Sequence, residues 1–263
     1  MSIPLEFYPD LPLRISEPTL AFEYGPGVFG PEPEMRRLDA IRPSLRDPRC
    51  SGPDPVYGIA MDIGREADRT LLKERMLLFG AVIYAAGALG SEPVRSQGHV
   101  HAISSHSGWS APEIFEIWSG RAIVYAQQRA ENDPGRCIAV EAEAGDQIVV
   151  PPHWAHCVIN ADPGRIMAFG AWCDREYGFD YSGVRAHHGL AWFPVLTDSG
   201  TIAWLPNSHY LPSTLEHRRP RPYPELGLDP TRSLYRQFAD DPDSVMLVAD
   251  PERAAGHWPT FAP

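Results

Sequence analysis

An all-β jelly-roll barrel, preceded by an N-terminal arm and followed by an irregular extension, is the fold that the sequence predicts. Three observations carry that expectation. The 263-residue chain has 28 prolines and 22 glycines spread throughout, which favours many short strands and turns over long helices. Between Leu77 and Cys173, short apolar segments recur at close intervals, each bounded by turn chemistry. Within that stretch stand His99 and His101, followed by Glu113 and His156. An extended backbone sends alternate side chains to the same face, so His99 and His101 emerge together.

Taken in order, residues 1–50 are proline-rich and poorly periodic, and read as an arm or a few edge strands. A short helix is expected from Pro33 through Leu38, opened by Glu32 and Glu34 and closed by Arg36 and Arg37, which suits the helix dipole. Asp68 to Lys73 is a second helical candidate, in a segment that could equally be strand and turn. The barrel is assigned to residues 51–195. Its strands are Phe79–Tyr84, Val94–His101, Glu113–Trp118, Ala122–Gln127, Cys137–Glu141, Asp146–Val150, His156–Asn160 and Arg165–Trp172. Ser119-Gly120 and Ala144-Gly145-Asp146 suit tight connections, and Asn160-Ala161-Asp162-Pro163-Gly164 suits a hairpin loop. Residues 196–263, again proline-rich, read as an extension packed on the barrel rather than a second catalytic domain.

Composition narrows the function. An apolar fraction of 43% and a charged fraction of 22% are those of an ordinary globular protein. A net charge of −11 argues against nucleic acid or an anionic membrane as partner. It leaves an anionic small substrate open, because a metal can invert the local field. The N-terminal residues carry neither a basic region nor a continuous apolar one, so no signal peptide is read. The apolar run around Met76 to Ala88 is too short and glycine-interrupted to span a bilayer. Cys50, Cys137, Cys157 and Cys173 form no C-x-x-C pair and read as reduced core thiols. Cytoplasmic residence is the expectation that follows.

Three imidazoles and a carboxylate converging inside a barrel make a site for a divalent transition metal. Alternation permits two registers for the strand after Pro112. Glu113 faces inward with Phe115 and Ile117, which is mildly preferred, or Glu116 faces inward with Ile114 and Trp118. Similarly, His156 shares a face with Val158 and Asn160, opposite Cys157 and Ile159, and either face could be inside. The remaining histidines are weaker candidates. His106 has a loop composition around it, His153 either reaches the pocket or caps a turn, and His187 and His188 follow the barrel.

Gly98-His99-Val100-His101, Pro112-Glu113-Ile114-Phe115, Gly145-Asp146, Pro151-Pro152-His153-Trp154-Ala155-His156, Asn160 and Tyr177-Gly178-Phe179-Asp180-Tyr181 resemble the cupin-type glucose-6-phosphate isomerases. Arg36-Arg37-Leu38 and, more loosely, Asp54-Pro55-Val56-Tyr57 extend the resemblance, which runs from about Gly27 to Gly189. The resemblance implies a double-stranded β-helix, a homodimer, and a bound iron, manganese, nickel or zinc ion. It implies His99, His101, Glu113 and His156 as metal ligands, and Tyr57, Ser96, Gly98 and Tyr181 as contacts to a sugar or sugar phosphate. The chain also departs from that pattern. It has Ser96-Gln97 where the family has Thr-Lys, Ala81 or Val82 near the family's threonine, Phe115 for a tyrosine and Phe179 for a histidine. Losing a lysine and a threonine weakens a phosphate site, which depends on charge-assisted donors. Arg95 alternates with Ser96 and so falls on the opposite face.

The chemistry expected is aldose–ketose isomerisation, on glucose 6-phosphate and fructose 6-phosphate or a related sugar, with the metal polarising the carbonyl and hydroxyl pair. Two paths stay open: a hydride shift, in which the metal alone carries much of the work, and a cis-enediol path, in which Glu113 is the base if its bond to the metal loosens. Glu113 is the expected ligand and candidate base, and Tyr181 the expected substrate-orienting group. Two alternatives use the same ligands: an Fe(II)-dependent cupin dioxygenase, and a non-catalytic cupin that binds metal or sugar.

Overall fold

Most barrel strands carry apolar side chains on both faces, so both faces of the main sheet must be covered. The computed structural model describes residues 2–263. Its barrel is built from β1 (Tyr57–Met61), β2 (Leu77–Tyr84), β3 (Val100–His101), β4 (Glu113–Ser119), β5 (Arg121–Gln127), β6 (Cys137–Glu143), β7 (Gln147–Val150), β8 (Ala155–Asn160) and β9 (Met167–Asp174). One sheet has the order β7-β4-β9-β2-β1, extended at its edge by Glu34–Arg36. The other has the order β8-β5-β6, extended by Leu215–Arg218, which runs parallel to β6. Beside β8 lies the segment leading into β3, through bridges from Arg95 to Ile159 and from His99 to His156. Successive strands therefore pass back and forth between two facing antiparallel sheets. This is the strand order of a jelly roll, and the fold is that of an all-β cupin.

The interior is filled by inward residues of both sheets, among them Phe115, Ile117, Val124, Val140, Ile148, Val158 and Phe169. Phe79, Trp118 and Trp172 face the other way from the first sheet, into a second cluster. That cluster includes Leu13, Ile15 and Phe22 from the N-terminal residues and Tyr235, Phe238 and Val245 from the C-terminal ones. The Trp172 ring lies 4.6 Å from Phe79 and 4.8 Å from Phe238, centroid to centroid. Close packing requires glycine at 170, where a Cβ would meet Trp118 at 2.0 Å.

The N-terminal residues form a three-stranded antiparallel sheet of Ser2–Pro4, Leu13–Ser16 and Ala21–Tyr24. The helix expected from Pro33 through Leu38 is corrected: Glu34–Arg36 is a strand paired with β1, and helix occupies only Leu38–Ile41. A single turn of helix has little stability of its own, and pairing with the open edge of β1 outweighs it. In the second candidate, a 3-10 turn at Glu66–Asp68 leads into an α-helix at Arg69–Glu74. Trp192–Leu196 runs through the boundary expected at 195 and forms a hairpin with Ile202–Pro206. Beyond the strand Leu215–Arg218, residues from Tyr223 to Phe261 pack against the outer face of the first sheet, and no residue after 195 lines the barrel cavity. All four cysteines are unpaired and buried. Among the described residues, no helix is long and apolar enough to cross a membrane.

One buried carboxyl ties the C-terminal layer to the barrel. Glu116 Oε1 accepts a hydrogen bond from the backbone N–H of Leu234 at 2.7 Å, where the helix Leu234–Asp240 begins, and Oε2 accepts one from Trp118 Nε1 at 3.0 Å. Burial raises the Glu116 carboxyl to about 7, despite these donors. The folded chain therefore holds this proton more tightly than the unfolded chain. The associated stability is complete below the usual value of 4.5 and is lost as pH rises through about 7. Thermal unfolding of wild type and Glu116→Gln across that window should show a difference in pH dependence on the order of 3 kcal/mol. Parallel stability curves for the two proteins would contradict this account.

Candidate metal centre

Backbone geometry brings the imidazoles together before any side chain is considered. His99 and His156 exchange backbone hydrogen bonds, His99 N to His156 O at 3.0 Å and His156 N to His99 O at 2.9 Å. This bridge holds the segment before β3 against β8. Gly98 precedes it with φ of +87°, and a Cβ there would lie 2.9 Å from Leu190 Cδ1, so glycine is required twice over. His101 then pairs with Phe179. The ring centroids lie 4.4 Å apart for His99 and His156, 5.0 Å for His99 and His101, and 5.1 Å for His101 and His156.

Both open registers are resolved by packing. Glu113, Phe115 and Ile117 face the barrel interior, while Ile114, Glu116 and Trp118 face the outer layer. His156 and Val158 face inward, while Cys157 and Ile159 join a third cluster outside the second sheet. One donor atom from each of His99, His101, Glu113 and His156 lies within 4.8 Å of the other three.

The donor set fits a divalent metal. His101 Nδ1 lies 2.8 Å from Ala111 O, and His156 Nδ1 lies 3.2 Å from Trp154 O. A carbonyl only accepts, so each ring carries its proton on Nδ1 when neutral, leaving Nε2 bare and turned inward. His156 Nε2 then faces Glu113 Oε2 at 3.1 Å, two lone-pair atoms that repel unless a cation lies between them. His101 Nε2 approaches the same oxygen at 3.4 Å without hydrogen-bond geometry, and both it and His99 Nε2 are buried with no partner. Burial opposes ionisation of Glu113, but His101 and His156 outweigh it and hold the carboxyl well below the usual range. Burial, reinforced by His156 and His101, pushes His99 well down, so it stays neutral. For His101, burial is outweighed by the Glu113 carboxylate and the Ala111 carbonyl, and its affinity for a proton rises. The cluster thus attracts positive charge.

The other sequence candidates divide clearly. Tyr57, Ser96, Gly98 and Tyr181 line one cavity together with His99, Glu113 and His156, and His101 belongs to the same donor cluster. His153 is exposed on a turn at φ of +68°, 5.9 Å from the Trp109 ring, and His106 is exposed in its loop. His187 stacks on Tyr210, and His188 lies beside His209 at the surface. Of the two residues near the family's threonine, Val82 lines the cavity and Ala81 faces the outer layer. Arg95 faces away from the site, buried and paired with Glu92 at 2.7 Å.

Two features escape a reading of the sequence. Cys173 Sγ donates to Glu113 Oε1 at 3.2 Å, supporting the carboxylate from behind. Alternation from Phe169 and Ala171 would have signalled its inward direction. Gln97, which stands where a lysine was expected, accepts a hydrogen bond at 3.1 Å from Arg185 Nε. Nothing near Gln97 in the chain announces that partner, which arrives from the helix Ser182–Ala186.

A cupin barrel with three histidines and a glutamate at its cavity defines the class. The glucose-6-phosphate isomerase (GPI) family model matches residues 44–213, and the chain belongs to that family. No curated protein sequence matches it. Among solved structures, it is similar to vicilin from hazelnut (Corylus avellana), at 13% identity over 59% of this chain and 36% of that one, with a TM-score of 0.37. It is also similar to a deletion mutant of Bacillus subtilis oxalate decarboxylase OxdC, at 15% identity over 48% and 28% respectively, with a TM-score of 0.33. The chain spans only about a third of the length of these structures.

Equilibrium dialysis against Zn(II) should show saturable binding by the wild type and a loss of affinity of roughly 100-fold in His101→Ala. His106→Ala and His153→Ala should bind as the wild type does. Undiminished binding by His101→Ala would remove the ligand assignment.

Proposed function

We propose that this chain is a metal-dependent isomerase interconverting an α-hydroxy aldehyde and an α-hydroxy ketone, as in aldose–ketose exchange. The observation that carries the reading is the convergence of four donors, two of them buried and unpartnered, on the cavity of a GPI-family barrel. His99, His101, Glu113 and His156 would hold the ion, whether iron, manganese, nickel or zinc. Such an ion, when bound, polarises a carbonyl and lowers the pKa of a neighbouring hydroxyl.

The chain's own residues supply the rest. Among the described residues lining the cavity, Glu113 is the one carboxylate. We assign it to proton transfer: with one oxygen free of the ion, it removes the proton from the hydroxyl-bearing carbon and returns it to the former carbonyl carbon, while the hydroxyl proton passes to the former carbonyl oxygen. Tyr181 orients the substrate from one side, its ring 6.1 Å from that of His99 and held under the Arg185 guanidinium at 4.9 Å. Tyr57, stacked on Tyr84 at 4.9 Å, forms the opposite wall, with Ser96 and Gly98 between. A homodimer belongs to this reading on the strength of the family resemblance.

The test is an isomerase assay on fructose 6-phosphate and on unphosphorylated α-hydroxy ketones, after removal of metal and after return of Fe(II) or Mn(II). Activity should vanish on chelation, return with the ion, and fall by about 100-fold or more in Glu113→Gln. Oxygen uptake by the Fe(II)-loaded protein without any isomer product would replace this reading with a dioxygenase, which needs the same ligands.

A further inference from the structure

We infer that the substrate of this site is uncharged, with two adjacent oxygens at one end and an apolar body of about the size of a phenyl ring. The inference rests on the isomerase reading for the oxygen end alone. Apolar side chains make up much of the cavity lining. Glu113, His99 and His156 stand together, with Ser96 and Gln97 next to them. The rest of the lining is mostly apolar, with Ile59, Met61, Val82, Phe115, Val158 and Phe169 beside the rings of Tyr57, Tyr84 and Tyr181. Ile59, Met61 and Val82 are half-buried where they line the cavity, so each has apolar surface left for a ligand to cover.

A phosphate in this cavity would find no cation. Among the described residues, neither lysine nor arginine lines it. Arg36 is the nearest by register, opposite Tyr57 and outside the lining; its Nη1 is held by Glu34 at 2.9 Å, while its Nε is buried without a partner. Arg185 is tethered behind Gln97 at 3.1 Å and stacked over Tyr181. Setting a dianion against valine, isoleucine and methionine strips its hydration without a charge-assisted donor in return. A ring or short alkyl group in the same place gains from every apolar contact.

The probe is 2-hydroxyacetophenone, an α-hydroxy ketone with a phenyl body, titrated calorimetrically into the Mn(II)-loaded protein beside fructose 6-phosphate. The aryl ketone should bind at least about tenfold more tightly. Equal or tighter binding of fructose 6-phosphate overturns the inference. Turnover is read separately, as conversion of 2-hydroxy-2-phenylacetaldehyde to the aryl ketone, a rearrangement in which one hydrogen moves between adjacent carbons and no co-reactant is needed. Tight binding without conversion keeps the substrate class and removes the isomerase. Faster conversion of fructose 6-phosphate keeps the isomerase and removes the substrate class. Val82→Lys should shift the preference toward the phosphosugar, and Val82→Thr, a milder change in the same direction, serves where the lysine variant fails to fold. A preference unchanged in whichever variants fold also overturns the inference.

Discussion

Two backbone hydrogen bonds between His99 and His156 are the constraint on which the site depends. Each residue donates to and accepts from the other, so neither Cα can move away without breaking a strand bridge. Alternation along the segment then brings His101 to the same face as His99, and Gly98 provides the left-handed turn that starts it. Three imidazoles are thereby committed to one small volume by the main chain. Their mutual repulsion when protonated is a consequence of that geometry, and the carboxylate of Glu113 balances it.

The centre is also supported from outside its four donors. Carbonyls of Ala111 and Trp154 fix the protons of His101 and His156 on Nδ1, and the Cys173 thiol holds the far oxygen of Glu113. Each support comes from a different part of the chain: a loop before β4, the turn before β8, and β9. Rigidity of this kind matters for a metal site because the donors must keep their spacing with or without an ion. The cavity beyond them is shaped by longer side chains whose polarity is independent of the centre. A chain can therefore keep the donors of its family while changing the wall that selects the substrate, and Val82 and Gln97 stand in that wall.

Much of this was legible in the sequence. Seven of the eight expected strands and the His99–His101 pair follow from turn residues, apolar runs and spacing, because those signals are local. The strand expected at Val94–His101 shortens to Val100–His101, with isolated bridges at Arg95 and His99, because Gly98 turns left-handed, and β1 was not expected at all. Glu113 and His156 came from the family resemblance. The helix expected at Pro33–Leu38 fails for the opposite reason: its fate is set by the open edge of β1, which the chain reaches only later. Arg185 was hidden in the same way, since its link to Gln97 spans 88 residues. The facing of β4 and β8 was undecidable because both sides of these strands are apolar. Periodicity locates a strand with one wet face, but it loses the distinction when a second layer covers that face.

Glu113 and Glu116 show what a second layer does to identical chemistry. They sit three positions apart on β4, both buried, on opposite faces of one sheet. Glu113 meets imidazoles, which can carry positive charge, and is held ionised. Glu116 meets an indole N–H, an amide and a backbone N–H, which are dipoles without charge, and burial wins. One carboxyl is a site for a cation and the other a neutral-tending joint between the barrel and its C-terminal cover. Exchanging the two faces would turn Glu116 inward three positions further along β4, out of place for the imidazoles, and would take the carboxyl acceptor away from the Leu234 N–H. The register of β4, ambiguous in its apolar pattern, is thus specified by the partners of its two acids.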